Sequence, residues 1–296
     1  MRGAHATPAF EADDGASDTG THLASQSAMQ RFSSAMRGLA LALCTTATAT
    51  ATATACAGAA DGSVSDGTTA DAIIGGHADP NDAAVVELVE ALGADEYTCT
   101  ATFISTTVLL TAAHCVVDEN HPKVIPSKAT FRVMLAASRA AAKKSDWLPV
   151  RRANVHPHPR YDGDAEHDVA IVALDSPVAV TPIPIRRTPI TSALVGSSVR
   201  LVGFGQSTRR SSANDGSDTR RTVTTTLRGL DGNLVRIGTT GHQACDGDSG
   251  GPALLAVDGV ETLVATDDLS ATDVNCAGGD LYQRVDLHLD FIDSYL

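Results

Sequence analysis

The stretch that decides the reading is His242-Gln243-Ala244-Cys245-Asp246-Gly247-Asp248-Ser249-Gly250-Gly251-Pro252-Ala253-Leu254. Ser249 has a glycine two places before it and another directly after, and the run ends on Gly-Pro ahead of apolar residues. Glycines so placed let the chain bend sharply and leave backbone N–H groups bare. The hydroxyl is then presented on a turn. A serine hydroxyl is a weak nucleophile at neutral pH, so it needs a base to take its proton and donors to hold a developing oxyanion. The motif therefore calls for a histidine and an aspartate elsewhere in the chain.

Both lie upstream. Thr111-Ala112-Ala113-His114-Cys115 supplies the histidine, and Asp168 opens the apolar, strand-like run Val169 to Leu174, giving the order His, Asp, Ser. These motifs together resemble the chymotrypsin-like (trypsin family) serine endopeptidases, over roughly residues 73 to 296. The resemblance implies an all-β fold of two six-stranded antiparallel β-barrels with a C-terminal helix. It also implies a catalytic set of Ser249 as nucleophile, His114 as proton shuttle and Asp168 holding the histidine tautomer. The backbone N–H groups of Gly247 and Ser249 become the oxyanion donors. Protein or peptide substrates are implied, with no metal and no organic cofactor. An esterase on an α/β-hydrolase fold fails on motif order, which there runs Ser, Asp, His.

The same resemblance assigns further roles. Asp71-Ala72-Ile73-Ile74-Gly75-Gly76 reads as an activation junction. A cut after Ala72 frees the amino group of Ile73, which folds inward and pairs with Asp248, so the ion pair orders the oxyanion hole. Alanine before the cut implies an activating protease that does not require a basic residue. At the specificity pocket Gln243 stands where trypsin-like members carry aspartate, so a basic side chain lacks its usual partner there. Asp280 falls on the pocket wall, from which a carboxylate reaches lysine or arginine sideways, and the two readings before the cut bond are a basic residue or a small or polar one. Thr266 begins Thr266-Asp267-Asp268, in place of the family's Ser-Trp-Gly substrate strand. These two departures support a rival reading, a trypsin-fold binding protein with weak or lost turnover.

Six cysteines are present, of which Cys44 and Cys56 lie near the front. The remaining Cys99, Cys115, Cys245 and Cys276 allow three pairings. The resemblance selects Cys99 with Cys115 and Cys245 with Cys276, which implies an oxidising compartment.

Composition bounds the rest. Of 296 residues 43% are hydrophobic and only 4% aromatic, so the core rests on aliphatic side chains. The formal charge of −13 argues against nucleic acid or an anionic membrane as partner. Residues 1–72 are rich in Ala, Ser, Thr and Gly and lack an amphipathic period. Arg31 and Arg37 ahead of Leu39 to Leu43 read as an export signal, with Met29 or Met36 as working start and a short pro-segment after it. The protein is expected to be secreted or extracytoplasmic. Ala53-Thr54-Ala55-Cys56-Ala57-Gly58 faintly resembles a lipoprotein box, so a lipid anchor at Cys56 is the one membrane link considered.

From residue 73 onward short apolar runs alternate with turn residues, as in an all-β domain. Phe131, Val133 and Leu135 alternate with polar or smaller neighbours. Residues 177–189 are proline-rich and read as the junction between two lobes of a peptidase domain spanning 73–296. Gln206 to Arg221, with four arginines, reads as a solvated loop. The prolines of His156-Pro157-His158-Pro159 impose an extended loop without a local ligand pattern, so no metal site is assigned. Asp286 is expected to cap a helix with Leu287, Phe291 and Tyr295 on one face.

Overall fold

A computed structural model describes residues 73–118, 120–205, 218–270, 276 and 278–296. The leader, the export signal, Cys44, Cys56, Ala72 and the 206–217 part of the arginine-rich run lie outside the described residues.

Fourteen strands follow one another: β1 (His77–Ala78), β2 (Val85–Leu92), β3 (Asp95–Phe103), β4 (Val108–Thr111), β5 (Thr130–Met134), β6 (Trp147–Val150), β7 (Val155–Pro157), β8 (Ala170–Ala173), β9 (Ser198–Gly203), β10 (Arg221–Asp231), β11 (Leu234–Ile237), β12 (Pro252–Val257), β13 (Val260–Ser270) and β14 (Asp280–Arg284). A short helix, α1 (Leu289–Asp293), follows. The strands form two antiparallel sheets. The first runs β6-β5-β2-β3-β4-β8-β7 and curls on itself. The second runs β10-β11-β14-β13-β12-β9, and β9 pairs back with β10, closing a six-stranded barrel to which β1 adds at β10. This is the all-β, chymotrypsin-like architecture.

The local chemistry explains the elements. In β5 Phe131 and Val133 point into the first core while Thr130 stays outside, the period-two pattern of a half-buried strand. β2 is buried on both faces, so even Glu87 is enclosed, and Arg139 meets it with an N–H···O bond of 2.8 Å. Burying that carboxylate without its partner would be costly. Between β12 and β13 the two-residue turn Asp258-Gly259 has both φ angles positive, 52° and 80°. That is the requirement of a tight hairpin turn whose twist matches the strands, and it explains Asp-Gly at this point.

Val86, Leu88, Phe103, Phe131 and Val133 fill the first core. Leu201, Val223, Val235, Ile237, Val264 and Tyr282 fill the second, and Ile73 joins them. A third cluster lies between the sheets: Leu110, Val169 and Ile171 of the first half meet Val202, Leu254, Leu263 and Ile292 of the second. Each such side chain contributes roughly 1.5–3 kcal/mol when fully buried. This layer fixes the two halves against each other, and so fixes whatever lies in the cleft they form. Two disulfides form, Cys99–Cys115 and Cys245–Cys276. The first closes a 16-residue separation and is worth about 3 kcal/mol through the unfolded chain.

Two sequence readings change. Arg220 is fully buried rather than on a solvated loop; its guanidinium donates to the carbonyls of Asp79, Val85 and Pro80. The end of the chain is also less helical than expected. Residues 285–287 form a tight 3-10 turn, Leu287 is 42% exposed, and Asp286 accepts from the Ile190 N–H and Arg284 instead of capping α1. Ile292 is the side chain α1 buries.

Candidate active site

Asp168 stands two residues before β8, enclosed at 1% exposure. Its Oδ1 accepts the backbone N–H of His114 at 2.8 Å, and its Oδ2 lies 2.5 Å from His114 Nδ1. One carboxylate thus grips both the main chain and the ring. With Nδ1–H donated to Asp168, the lone pair of the ring lies on Nε2, the form a general base needs. Burial disfavours the charged imidazole, yet the Asp168 charge and hydrogen bond outweigh it and raise the His114 pKa. Burial likewise works against the Asp168 carboxylate, but His114 holds it below the ordinary value. His114 itself is set by its neighbours: Ala112 and Ala113 are fully buried, and Cys115 is tied to β3 through its disulfide.

The Ser249 loop is pressed against the same strands. The Thr100 N–H donates to the Ser249 carbonyl at 2.9 Å, and Cys115 Sγ lies 3.7 Å from that oxygen. Gly250, at φ 78°, leaves no room for a side chain: a Cβ there would lie 2.1 Å from Thr111 Oγ1 and 2.6 Å from Thr100 O. The glycine after the serine is therefore what lets the loop touch β3 and β4. Thr100 is central to this contact, since its hydroxyl also donates to Gly247 O at 3.0 Å and accepts from Phe204 N at 3.1 Å. Nothing in the sequence singled it out. Ser249 and His114 are both half-buried.

Asp248 points the other way, inward. Its oxygens accept the N–H groups of Gly205 at 2.8 Å and Cys245 at 2.9 Å. Burial, with Asp280 and Asp246 adding to it, pushes its pKa up to about 7 despite those two donors. Gly203 and Gly205 make room for it; a Cβ at either would come within 2.1 or 2.5 Å of the carboxylate. Ile73 is buried in the second core, and at φ 52° it holds a backbone conformation that a β-branched residue adopts only under strain. Ile74 bridges to Gln243, whose N–H donates to the Ile74 carbonyl.

Gln243 is fully enclosed. Its Oε1 accepts from Gly279 N at 3.0 Å, and its Nε2 is buried with no hydrogen-bond partner among the described residues. Asp280 is buried beside it, accepting from Ala244 N at 3.1 Å. Asp267 adds a third acid there: it is buried, the Tyr282 hydroxyl lies against it, and burial with the charges of Asp280 and Asp248 raises its pKa well above the ordinary value. Thr266 is fully buried in the ladder opposite Pro252, and the Asp267 backbone bonds to Gly250 and Gly251. The strand residue that reaches the histidine pair is Asp268, two places on, which the sequence reading passed over. Oxygens of Asp168 and Asp268 and a ring nitrogen of His114 all lie within 4.8 Å of one another. Burial raises the Asp268 pKa well above the ordinary value, and the Asp168 charge adds to it.

Comparison with known proteins agrees with this geometry. The family described as Trypsin matches residues 73–292. Serine protease SP24D of Anopheles gambiae is 32% identical over 183 residues, which are 56% of this chain and 62% of that protein. Brachyurin of Leptuca pugilator is 27% identical over 215 residues, 68% of this chain and 88% of its own length. Phenoloxidase-activating factor 3 of Holotrichia diomphalia is 24% identical over 243 residues, 71% of this chain and 67% of that protein. A family match over residues 73–292, on a closed β-barrel joined to a curled sheet, decides the matter: the chain belongs to the trypsin family of serine proteases.

Proposed function

We propose that the chain is a secreted serine endopeptidase that hydrolyses peptide bonds through an acyl-enzyme. Ser249 Oγ attacks the carbonyl carbon of the substrate while His114 Nε2 takes its proton. His114 then returns that proton to the leaving amine, and water releases the acyl group by the same route. Asp168 stays ionised and holds the imidazolium. The N–H groups of Gly247 and Ser249 receive the oxyanion, each worth on the order of 3 kcal/mol in the transition state. In support, Gly247 has a φ of 97°, and no hydrogen bond among the described residues uses either N–H.

The observation that carries the reading is the 2.5 Å contact between His114 and Asp168, with the Ser249 loop bonded to Thr100. Activation follows from a cut after Ala72. The freed Ile73 ammonium supplies the cation that buried Asp248 lacks among the described residues, and the strained Ile73 backbone is released. Asp280, buried near Gln243 with Asp267 close to it, supports a preference for lysine or arginine before the cut bond. Two disulfides suit export to an oxidising compartment, with Cys56 as the tether if the exported protein stays at a membrane.

The test is fluorophosphonate labelling of the processed chain. Wild-type protein labels, Ser249→Ala does not, and the labelled form begins Ile-Ile-Gly-Gly. A processed, folded wild type that takes no label sinks the proposal and leaves the binding-protein reading standing.

A further inference from the structure

Three histidines from three separate segments converge next to Asp168, which His167 directly precedes. His158 comes from the loop after β7, His167 from the turn before β8, and His288 from the residue preceding α1. Their ring centroids are 4.8 Å apart for His158 and His167, 5.1 Å for His158 and His288, and 5.3 Å for His167 and His288. One nitrogen from each ring lies within 4.8 Å of the other two. His158 and His288 are buried at 5% and 3% exposure, and His167 is half-buried, which leaves a way in.

The hydrogen bonds single out which nitrogens face the centre. His158 Nδ1 accepts from Arg160 N at 3.2 Å, which places the ring proton on Nε2; ligation through Nε2 moves that proton to Nδ1 and gives up the Arg160 bond. The Nδ1 atoms of His167 and His288 are buried with no hydrogen-bond partner among the described residues. His288 Nε2 lies 2.9 Å from Gln283 Nε2, while Gln283 Oε1 is buried and unsatisfied. Turning that amide end for end gives up a long 3.4 Å contact to Asn233 O and sets Oε1 to accept from His288 Nε2–H. The His288 Nδ1 lone pair then points into the cluster, held by the kind of outer hydrogen bond that orients metal-binding histidines. Core histidines ordinarily satisfy both nitrogens. Two here leave a buried nitrogen unsatisfied, and a nitrogen of the third lies within 4.8 Å of both, which makes a ligand set once the stacked His158 and His167 rings turn apart.

We propose that His158, His167 and His288 bind a zinc-class transition-metal ion, with a fourth position open to water. Three neutral imidazoles suit Zn²⁺, Cu²⁺ or Ni²⁺, whereas Ca²⁺ and Mg²⁺ require oxygen ligands. At Zn–N distances near 2.0–2.1 Å the nitrogens must close to roughly 3.3 Å of one another. The His158 and His167 planes are only 12° from parallel, so one ion cannot lie in both. His167, the exposed member, must rotate. Because it is peptide-bonded to Asp168, occupancy disturbs the grip on His114 and lowers activity; this consequence rests on the catalytic reading above, while binding does not.

Metal-free, full-length protein is titrated with ZnCl₂ by calorimetry, and Co²⁺ is used as a spectroscopic stand-in. One equivalent should bind, weaker by about 10-fold or more in His158→Gln, His167→Asn and His288→Gln, and unchanged in His114→Ala or with excess Ca²⁺. His167→Asn removes a half-exposed ring and keeps the test alive if the buried variants misfold. No binding to the folded wild type, binding indifferent to His167→Asn, or binding abolished by His114→Ala overturns the site. Zn²⁺ should also slow fluorophosphonate labelling of processed wild type and not of His167→Asn. Binding at the three histidines without slower labelling overturns the coupling alone.

Discussion

Replacing Asp248 by asparagine should flatten the pH dependence of stability in the uncut chain. The carboxyl is 2% exposed and its pKa is pushed up to about 7 from an ordinary 3.8. The folded state therefore binds the proton more tightly than the unfolded state does. Between those two values the native chain carries more protons than the unfolded one, so stability falls as pH rises. The contribution is complete below about pH 4 and is lost as pH passes through about 7. A shift of about three units at 1.36 kcal/mol each amounts to about 4 kcal/mol, a large part of the 5–15 kcal/mol that holds a typical domain together. Asparagine does not titrate. Its amide places an N–H against one of the two backbone donors, a fixed cost of about 1–3 kcal/mol at every pH, so the slope and not the height carries the information. Urea unfolding of uncut Ser249→Ala and Ser249→Ala/Asp248→Asn, disulfides intact, is followed from pH 4 to 8. The difference between them should close or reverse by about 4 kcal/mol across that range. Glu90, raised to about 7, is common to both proteins and cancels, while the part of the Asp267 shift that comes from the Asp248 charge is lost with that charge and belongs to the same difference. Processed protein gives the complementary result: the Ile73 ammonium pulls the carboxyl pKa back down, and the loss through pH 7 disappears. Parallel profiles for the two uncut proteins would refute the reasoning.

Other residues give sharper local tests. Asp268, whose pKa burial and the Asp168 charge hold well above the ordinary carboxylate value, lies beside Asp168, Asp267, Tyr161 and His114 and adds a second negative charge next to Asp168 once it ionises. Activity should fall as pH rises through that ionisation in the wild type, and Asp268→Asn should lose that limb of the kcat/KM profile while keeping activity below it. Thr100→Val loses the bonds to Gly247 O and Phe204 N; unfolding should show a cost of about 1–3 kcal/mol, with slower labelling of Ser249. Gly205→Ala drives a Cβ to 2.5 Å from the Asp248 carboxylate and 2.7 Å from its backbone N, and thermal unfolding should register about 1–3 kcal/mol of overpacking. Asp280→Gly should lower kcat/KM on arginine substrates by about 10-fold or more, the scale of one charge-assisted contact; undiminished turnover removes Asp280 from the pocket's selectivity.

How much of this the sequence could disclose follows from the range of each interaction. Gly247 to Pro252, Ala112 to Cys115 and the apolar run from Asp168 are local signals, and chemistry ties each to a role without knowledge of the fold. The period-two strands are local as well. Thr100 is different, because its importance comes from bonding Gly247, 147 positions away, and from accepting the Phe204 N–H. A threonine inside a strand has no distinguishing local pattern. Asp268 escaped for a related reason. The sequence places the substrate strand only to within a residue or two, and bulges in the ladders at Ala253/Leu254 and Asp267/Leu269 shift which side chain faces Asp168. His158, His167 and His288 converge through the loop after β7, the turn into β8 and the residue before α1, and no spacing rule joins them.

The second half of the molecule concentrates carboxyls to a degree that would be self-defeating in a static core. Asp248 and Asp267 are both buried, the Asp280 charge raises the pKa of each and the Asp248 charge that of Asp267 as well, and no ion pair among the described residues reaches either of them. Such groups cost stability unless a cation arrives. The catalytic reading supplies two, at different times: the Ile73 ammonium after the cut, and a lysine or arginine side chain when substrate enters. Each arrival removes part of the same electrostatic penalty, so the two events should favour one another. Processing should then tighten binding of arginine-mimicking inhibitors such as benzamidine, and by linkage benzamidine should stabilise the processed chain more than the uncut one. Equal benzamidine affinity for both forms would show that the acids respond independently, and the argument for a shared electrostatic switch would fail.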